Sequence, residues 1–126
     1  RIAARELMVP ATGVPAGWSV ADLDAHVGRY GEPVLLTGPG GAPEAIVDSA
    51  SLRSVPGPLR ATTPASTVAR ALAPGAVVSA EAAGRDLIDR LAPLAGSEYA
   101  VVDPAGRVVG LLVQSAVVAA ITGKRR

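Results

Sequence analysis

The 126-residue chain contains no cysteine and no phenylalanine, and its only histidine is His26. Its aromatic residues are Trp18, Tyr30 and Tyr99. Without a thiol there is no disulfide framework and no thiolate chemistry. With a single histidine the usual His/Cys zinc site cannot be assembled within one chain. A serine nucleophile would need a base, His26 is the only good one, and no serine stands in a nucleophile-elbow context. Charge of one sign is also missing. Twelve basic residues against eleven acidic give a net charge of +1, too little electrostatic footing for a nucleic-acid binder. The one basic run, Lys124, Arg125 and Arg126, reads as a solvated chain end.

Nor is there a membrane span. The apolar stretch from Val108 to Gly123 is interrupted by Gln114, Ser115 and Thr122 and falls short of the roughly 18 to 20 residues that crossing a bilayer takes, so it reads as a buried strand followed by a helix. The start, from Arg1 to Glu6, lacks the apolar core and cleavage site of a signal peptide, and the cytosolic face of a membrane is a permitted location. The absence of an initiator methionine leads us to expect a piece of something longer. What is present, 49% hydrophobic and 18% charged residues, describes one folded body of one sizeable core.

The chain repeats itself. Leu7-Met8-Val9-Pro10 aligns with Ala71-Leu72-Ala73-Pro74, Val14 with Val78, and Asp22-Leu23 with Asp86-Leu87, all at an offset of 64. Gly38-Pro39-Gly40-Gly41 then aligns with Asp103-Pro104-Ala105-Gly106 at an offset of 65. Turn residues and Asp-Leu pairs keep their order through one single-residue slip, which marks a duplication.

The second copy has the clearer pattern. Between Glu81 and Leu94, the residues Leu87, Ile88, Leu91 and Leu94 recur at helical spacing opposite Arg85, Asp86, Asp89 and Arg90, which predicts an amphipathic helix. Tyr99 to Val102 and Arg107 to Val113 are β-rich runs joined by the turn Asp103-Pro104-Ala105-Gly106, which makes a hairpin. Ser115 to Ile121 closes the copy as a helix ended by Gly123. The first copy follows the same order: helix Ser19 to Arg29, strands near Val34 to Thr37 and Ala45 to Val47, and a short helix from Asp48 to Val55. Its glycine-rich turn, 38–41, has no Lys-Ser or Lys-Thr after it, so it is a hairpin turn and not a phosphate loop. The segment Val55-Pro56-Gly57-Pro58-Leu59 can continue neither helix nor central strand and marks a linker. A helix from Ala65 to Leu72, started by Thr63-Pro64, is expected to lead into the second copy.

Individual polar residues suggest little chemistry. Asp22 and His26 stand one helical turn apart, which suits a weak ion pair on a solvated face. Trp18 and Tyr30 read as packing residues. Tyr99, on a strand, serves packing or stacks a ligand.

The order Leu-Met-x-Pro, short strand, amphipathic helix, strand, Asp-x-x-Gly turn, Gly-apolar-apolar strand, helix resembles the CBS domain, which occurs in tandem as a regulatory pair. The likeness runs from Arg5 to Ile121 and is strongest from Glu98 to Gly110. The wording of copy two, Val68 to Gly75 followed by Ser97-Glu98-Tyr99, is also similar to the C-terminal CBS region of actinobacterial site-2 membrane zinc metalloproteases, hydrolases whose His-Glu-x-x-His motif this chain lacks. The resemblance implies an α/β (α+β) fold of two βαββα repeats packed as one pseudo-two-fold module, with repeat 1 at 1–57, a linker at 58–64 and repeat 2 at 65–126. It implies a regulatory role without catalysis, with zinc and the catalytic domain in the parent protein. Because the Ala- and Val-rich helices must cover apolar faces, a homodimer is expected.

The resemblance further implies an adenine nucleotide in a cleft between repeats, where Gly-apolar-x-Thr/Ser-x-x-Asp supplies a hydroxyl to phosphate and a carboxylate to ribose. Copy two reads Gly110-Leu111-Leu112-Val113-Gln114-Ser115-Ala116, with Val113 and Ala116 at the two polar positions. Copy one reads Ala45-Ile46-Val47-Asp48-Ser49-Ala50-Ser51, with Asp48 at the phosphate position and Ser51 at the ribose position. Loss of both contacts weakens a site by at least about tenfold, and Asp48 adds repulsion. Residual binding is therefore expected in copy two, whose candidate residues are Gly75, Val77, Tyr99, Val113, Ser115 and Ala116. No cofactor is expected beyond weak adenine nucleotide.

Overall fold

The central strands of each repeat are apolar on consecutive residues, and both of their faces are covered. Leu35 and Leu36 in copy one and Ala100 and Val101 in copy two are all buried, which is why these strands read as unbroken apolar runs and not as alternating ones. The computed structural model describes residues 1–26 and 31–123. It contains eight strands in two sheets and five α-helices among the described residues.

After helix α1 (Ala4–Leu7) come β1 (Val9–Pro10), β2 (Thr12–Pro15), α2 (Val20–His26), β3 (Val34–Thr37), β4 (Pro43–Val47) and α3 (Ser49–Ser54). The second half runs β5 (Ala69–Ala71), β6 (Val77–Ser79), α4 (Gly84–Leu91), β7 (Glu98–Val102), β8 (Val108–Val113) and α5 (Gln114–Thr122). One sheet has the order β2-β3-β4-β5 and the other β1-β8-β7-β6. The end strands are thus exchanged: β5, which follows the linker, completes the first repeat's sheet, and β1 completes the second's. In each sheet one end pair is parallel, β2 with β3 and β6 with β7, and the other pairs are antiparallel. The two hairpins even share a bulge, between Leu36 and Thr37 in one and Val101 and Val102 in the other.

Register corrects part of the sequence alignment. Ala71 pairs with Ala45 and Pro10 with Gly110, so Pro10 is equivalent to Ala71 and not to Pro74. The path from Ala71 to Val78 is three residues longer than the equivalent path from Pro10 to Val14, and the extra length is spent on the Pro74-Gly75 turn, where Gly75 takes φ 72°. The expected helix from Ala65 to Leu72 is a 3-10 turn over Ala65–Val68 followed by β5. Alanine favours helix locally, but pairing of β5 along β4 uses the backbone groups a helix would have satisfied internally. The helix expected from Glu81 begins at Gly84, because the backbone of Ala80 and Ala82 accepts hydrogen bonds from Arg5 and Ala4 at 3.1 and 2.8 Å. Those bonds anchor α1. Arg5 also pairs with Glu81. Of the helix expected over 19–29, α2 ends at His26, and the remainder lies outside the described residues, as does Tyr30. Both turns form as hairpins, with Gly40 at φ 76° and Gly106 at φ 86°.

Among the described residues three apolar clusters organise the fold. Val14, Val20, Leu23, Leu36 and Val68 pack beneath α2 and α3, with Trp18 against them. Val78, Leu87, Leu91, Tyr99, Leu112 and Val117 form the counterpart in copy two. Between the sheets lie Ala11, Leu35, Ile46, Ala100 and Leu111. No helix among the described residues is long and apolar enough to cross a membrane.

Candidate functional site

The face that each sheet turns toward the other fixes which side chains enter the clefts. Register makes Arg70 on β5 equivalent to Val9 on β1, Ile46 to Leu111, and Leu35 to Ala100. Two residues further along the same faces, Asp48 is equivalent to Val113 and Pro33 to Glu98. The backbone is pseudo-symmetric, while the two clefts differ in chemistry.

On the copy-one side the strand β4 runs directly into α3, and Asp48 is the N-cap. One of its oxygens accepts the Ser51 backbone N–H at 2.9 Å and the Ser51 hydroxyl at 2.8 Å; the other faces Arg70 Nη1 at 3.3 Å. The Ser51 backbone bond, then its hydroxyl, and then the Arg70 and Arg53 charges hold the Asp48 carboxyl below its ordinary value. Arg70 donates through Nε and Nη2 to both oxygens of Glu98, at 3.1 and 2.7 Å. That bidentate pairing raises the guanidinium's already high pKa, and Asp48 adds to it. Beside these residues lies a cavity of about 670 Å³. Asp48, Arg53 and Arg70 line it together with Ile46, Val47 and, from the other repeat, Leu111.

The copy-two residues are arranged differently. Val113 is the N-cap of α5 and offers no side-chain bond there. Val113, Ser115, Val77 and Gly75 are exposed and Ala116 is half-buried. Tyr99 does not line a cleft. It is 1% exposed in the second repeat's core, on the face of β7 opposite Ala100, and its hydroxyl donates to the Gly96 carbonyl at 3.4 Å. Of its two readings, packing is the one it fulfils. This cavity thus lies on the side where the weaker binding was expected, and of the candidate residues named from the sequence Asp48 lines it.

Arg70 and Glu98 were not selected from sequence. The available signal was Ala69-Arg70-Ala71, an apolar-charged alternation consistent with a strand whose middle residue faces a cleft. Asp22 and His26 form no ion pair through their side chains. Asp22 instead closes a reciprocal N-terminal cap with Ser19, at 2.9 and 3.1 Å, and His26 Nδ1 lies 3.0 Å from the Asp22 carbonyl oxygen. Among the described residues no three His, Cys, Asp or Glu side chains cluster in a way that could hold a metal.

No protein-family model matches the chain, and none of the curated proteins matches it in sequence. Solved structures do. A CBS domain-containing protein of unknown function from Bacillus anthracis is similar at a TM-score of 0.60 and 14% identity, over 99% of this chain and 96% of that one. The CBS domain of a bacterial CNNM/CorC-family Mg2+ transporter is similar at 0.58 and 16%, over 98% and 77%. A CBS domain protein from Pyrobaculum aerophilum, solved in complex with AMP, is similar at 0.55 and 20%, over 91% and 89%. The chain has the fold of these CBS-domain proteins: a mixed α+β module of two sheets and their flanking helices.

Proposed function

We propose that this module is a non-catalytic regulatory CBS pair that works by docking, to a second copy of itself or to an attached catalytic domain, and not by sensing an adenine nucleotide. The observation that carries this reading is the state of Asp48. A carboxylate stands where the resemblance calls for a phosphate-binding hydroxyl, and it is already satisfied by Ser51 and Arg70. Copy two has Val113 and Ala116 at the matching positions, so neither cleft offers the pattern's hydroxyl and carboxylate. Docking is supported by exposed apolar side chains on and near the flanking helices, with Ile121 56%, Val118 50% and Ile2 46% exposed.

On this reading the chain divides into repeat 1 at 1–57, a linker at 58–64 and repeat 2 at 65–126, and it forms a homodimer. The wording of copy two supports a parent of the site-2 membrane zinc metalloprotease type, with this module at its C-terminal, cytosolic end. A coding sequence upstream of Arg1 that holds transmembrane segments and His-Glu-x-x-His is expected; an upstream frame without a transmembrane segment removes the protease parent. Light scattering tests the self-association, and a monomer at high concentration counts against it.

Nucleotide sensing is the second reading. The cavity beside Arg70 favours it, as does the fold's likeness to a protein solved with AMP. Calorimetric titration with AMP and ATP separates the two: no low-micromolar binding supports docking, and low-micromolar binding returns sensing to first place.

A further inference from the structure

We propose that Asp48, Arg70 and Glu98 form a built-in ionic latch that sets the spacing of the two repeats across the copy-one cleft, doing without a ligand what a cleft-bound ligand would do. This rests on the docking reading only in taking the cleft as free of nucleotide.

The topology makes Arg70 suited to the part. It follows the linker in sequence, yet β5 pairs with β4 in the first repeat's sheet, at Arg70 opposite Ile46. Glu98 is the first residue of β7 in the other sheet. The two-point contact of the guanidinium with Glu98, at 3.1 and 2.7 Å, therefore passes from sheet to sheet. A planar fork on a carboxylate fixes orientation as well as distance. The third contact, Nη1 to Asp48 at 3.3 Å, ties the same guanidinium to the point where β4 enters α3. One cation thus joins two strands and a helix start belonging to both repeats.

The opposite cleft has nothing comparable. At the equivalent positions stand Val9, Val113 and Pro33, which can form no ion pair. The latch acts on one side only, and separation of the repeats at that edge is resisted by charge, while the rest of the contact is the apolar cluster of Leu35, Ile46, Ala100 and Leu111. The side chains of Arg70, Asp48 and Glu98 are 47%, 42% and 29% exposed, so water and salt reach the latch. A pair so placed biases a population by about two- to fivefold and does not lock it outright. That range suits a regulatory part, because a docking partner can override it.

The test is a distance measurement between the repeats. The chain has no cysteine, so spin labels at Ser54→Cys on α3 and Ala119→Cys on α5, both exposed positions, report a single distance by pulsed dipolar spectroscopy. Labelled protein is diluted with unlabelled protein so that only pairs within one chain are read, and no nucleotide is added. The expected result is one dominant distance at low salt. About 1 M salt, Glu98→Gln or Arg70→Gln should each raise the fraction outside it about two- to fivefold, and the variants should lose the salt response. The salt series on the unmutated pair needs no folded variant, and far-ultraviolet circular dichroism confirms that Glu98→Gln folds. A distance distribution unchanged by salt and by Glu98→Gln, whether narrow or broad, overturns the latch. The nucleotide titration stands apart, so failure of either idea is recognised separately.

Discussion

Arg60 grips both carboxylate oxygens of Asp24, through Nε at 2.7 Å and Nη2 at 2.9 Å, and turns its remaining Nη1 to the carbonyls of Val55 and Leu52 at 2.7 and 3.0 Å. Asp24 lies on α2, Leu52 is in the last turn of α3 and Val55 is its C-cap, so this one side chain pins α2 to α3. It also satisfies carbonyls that the end of a helix leaves without partners. Arg60→Ala removes all four bonds and is expected to lower the unfolding midpoint more than Asp24→Asn, which leaves the α3 cap intact. Arg60→Lys should fall near Arg60→Ala, because an ammonium cannot reproduce the fork. Thermal melts of the three variants check the ranking, and an Arg60→Lys midpoint equal to the unmutated protein's defeats it.

Gly110 has a packing reason to be glycine. A Cβ there would lie 2.2 Å from Met8 Sδ and 2.9 Å from the Val9 carbonyl oxygen, on the edge where β1 joins the second sheet. The flexible Met8 side chain can retreat, but the backbone oxygen cannot move without displacing β1. Gly110→Ala is expected to cost about 1 to 3 kcal/mol. Ala45, its pseudo-symmetric equivalent, already carries a Cβ, so Ala45→Gly should cost only about 1 kcal/mol through backbone freedom. Urea unfolding of both variants measures the difference.

The repeat, both hairpins, and the closing helix ended by Gly123 in the left-handed region at φ 71° were legible in the sequence, because turn chemistry and hydrophobic period are local signals. Exchange of β1 and β5 between the sheets was not. It is decided by which edge each short strand meets in three dimensions, and Ala69-Arg70-Ala71 carries too few residues to outvote the helix preference of alanine. That error also hid Arg70, since a helical residue would have been assigned to solvent. Asp48 and Val113 both stand where a strand enters a helix, a junction legible because each follows a readable hairpin.

Acid should weaken the fold through four aspartates. Backbone N–H groups of Ser19, Ser51 and Arg107 hold Asp22, Asp48 and Asp103 below the ordinary value of 3.8, and the side chain of Arg60 does so for Asp24. A carboxyl whose pKa is lower folded than unfolded binds fewer protons in the folded state, so its stabilisation is present above the unfolded value and fades as pH falls through the folded one. The melting midpoint is expected to stay level above about pH 5 and to drop below about pH 4. Asp103→Asn should flatten part of that drop. Melts from neutral pH downward give the curve, and a decline that begins above pH 6 would point to a different group.

Exchanging Asp48 and Ser51 should create a nucleotide site. The resemblance calls for a hydroxyl and, three residues later, a carboxylate, and copy one holds these same two groups in reverse order. Their mutual bond, Ser51 Oγ to Asp48 Oδ2 at 2.8 Å, shows that both side chains lie at one helix start, so Asp48→Ser with Ser51→Asp alters the order without moving the backbone. The fold tolerates it: serine is as good an N-cap as aspartate, and an acidic residue at the third helical position completes a reciprocal cap. The exchange removes the carboxylate from the phosphate position and frees Arg70 Nη1, which lines the cavity of about 670 Å³ beside it. Two restored polar contacts and one released cation should tighten AMP binding at least about tenfold over the unmutated protein. Asp48→Ser alone should recover only part of that gain, since the ribose position still lacks its carboxylate. Calorimetric titration of the single and double variants is the measurement. A double variant that binds no better than the unmutated chain, with melts showing it folded, would mean that the order of Asp48 and Ser51 does not govern AMP affinity.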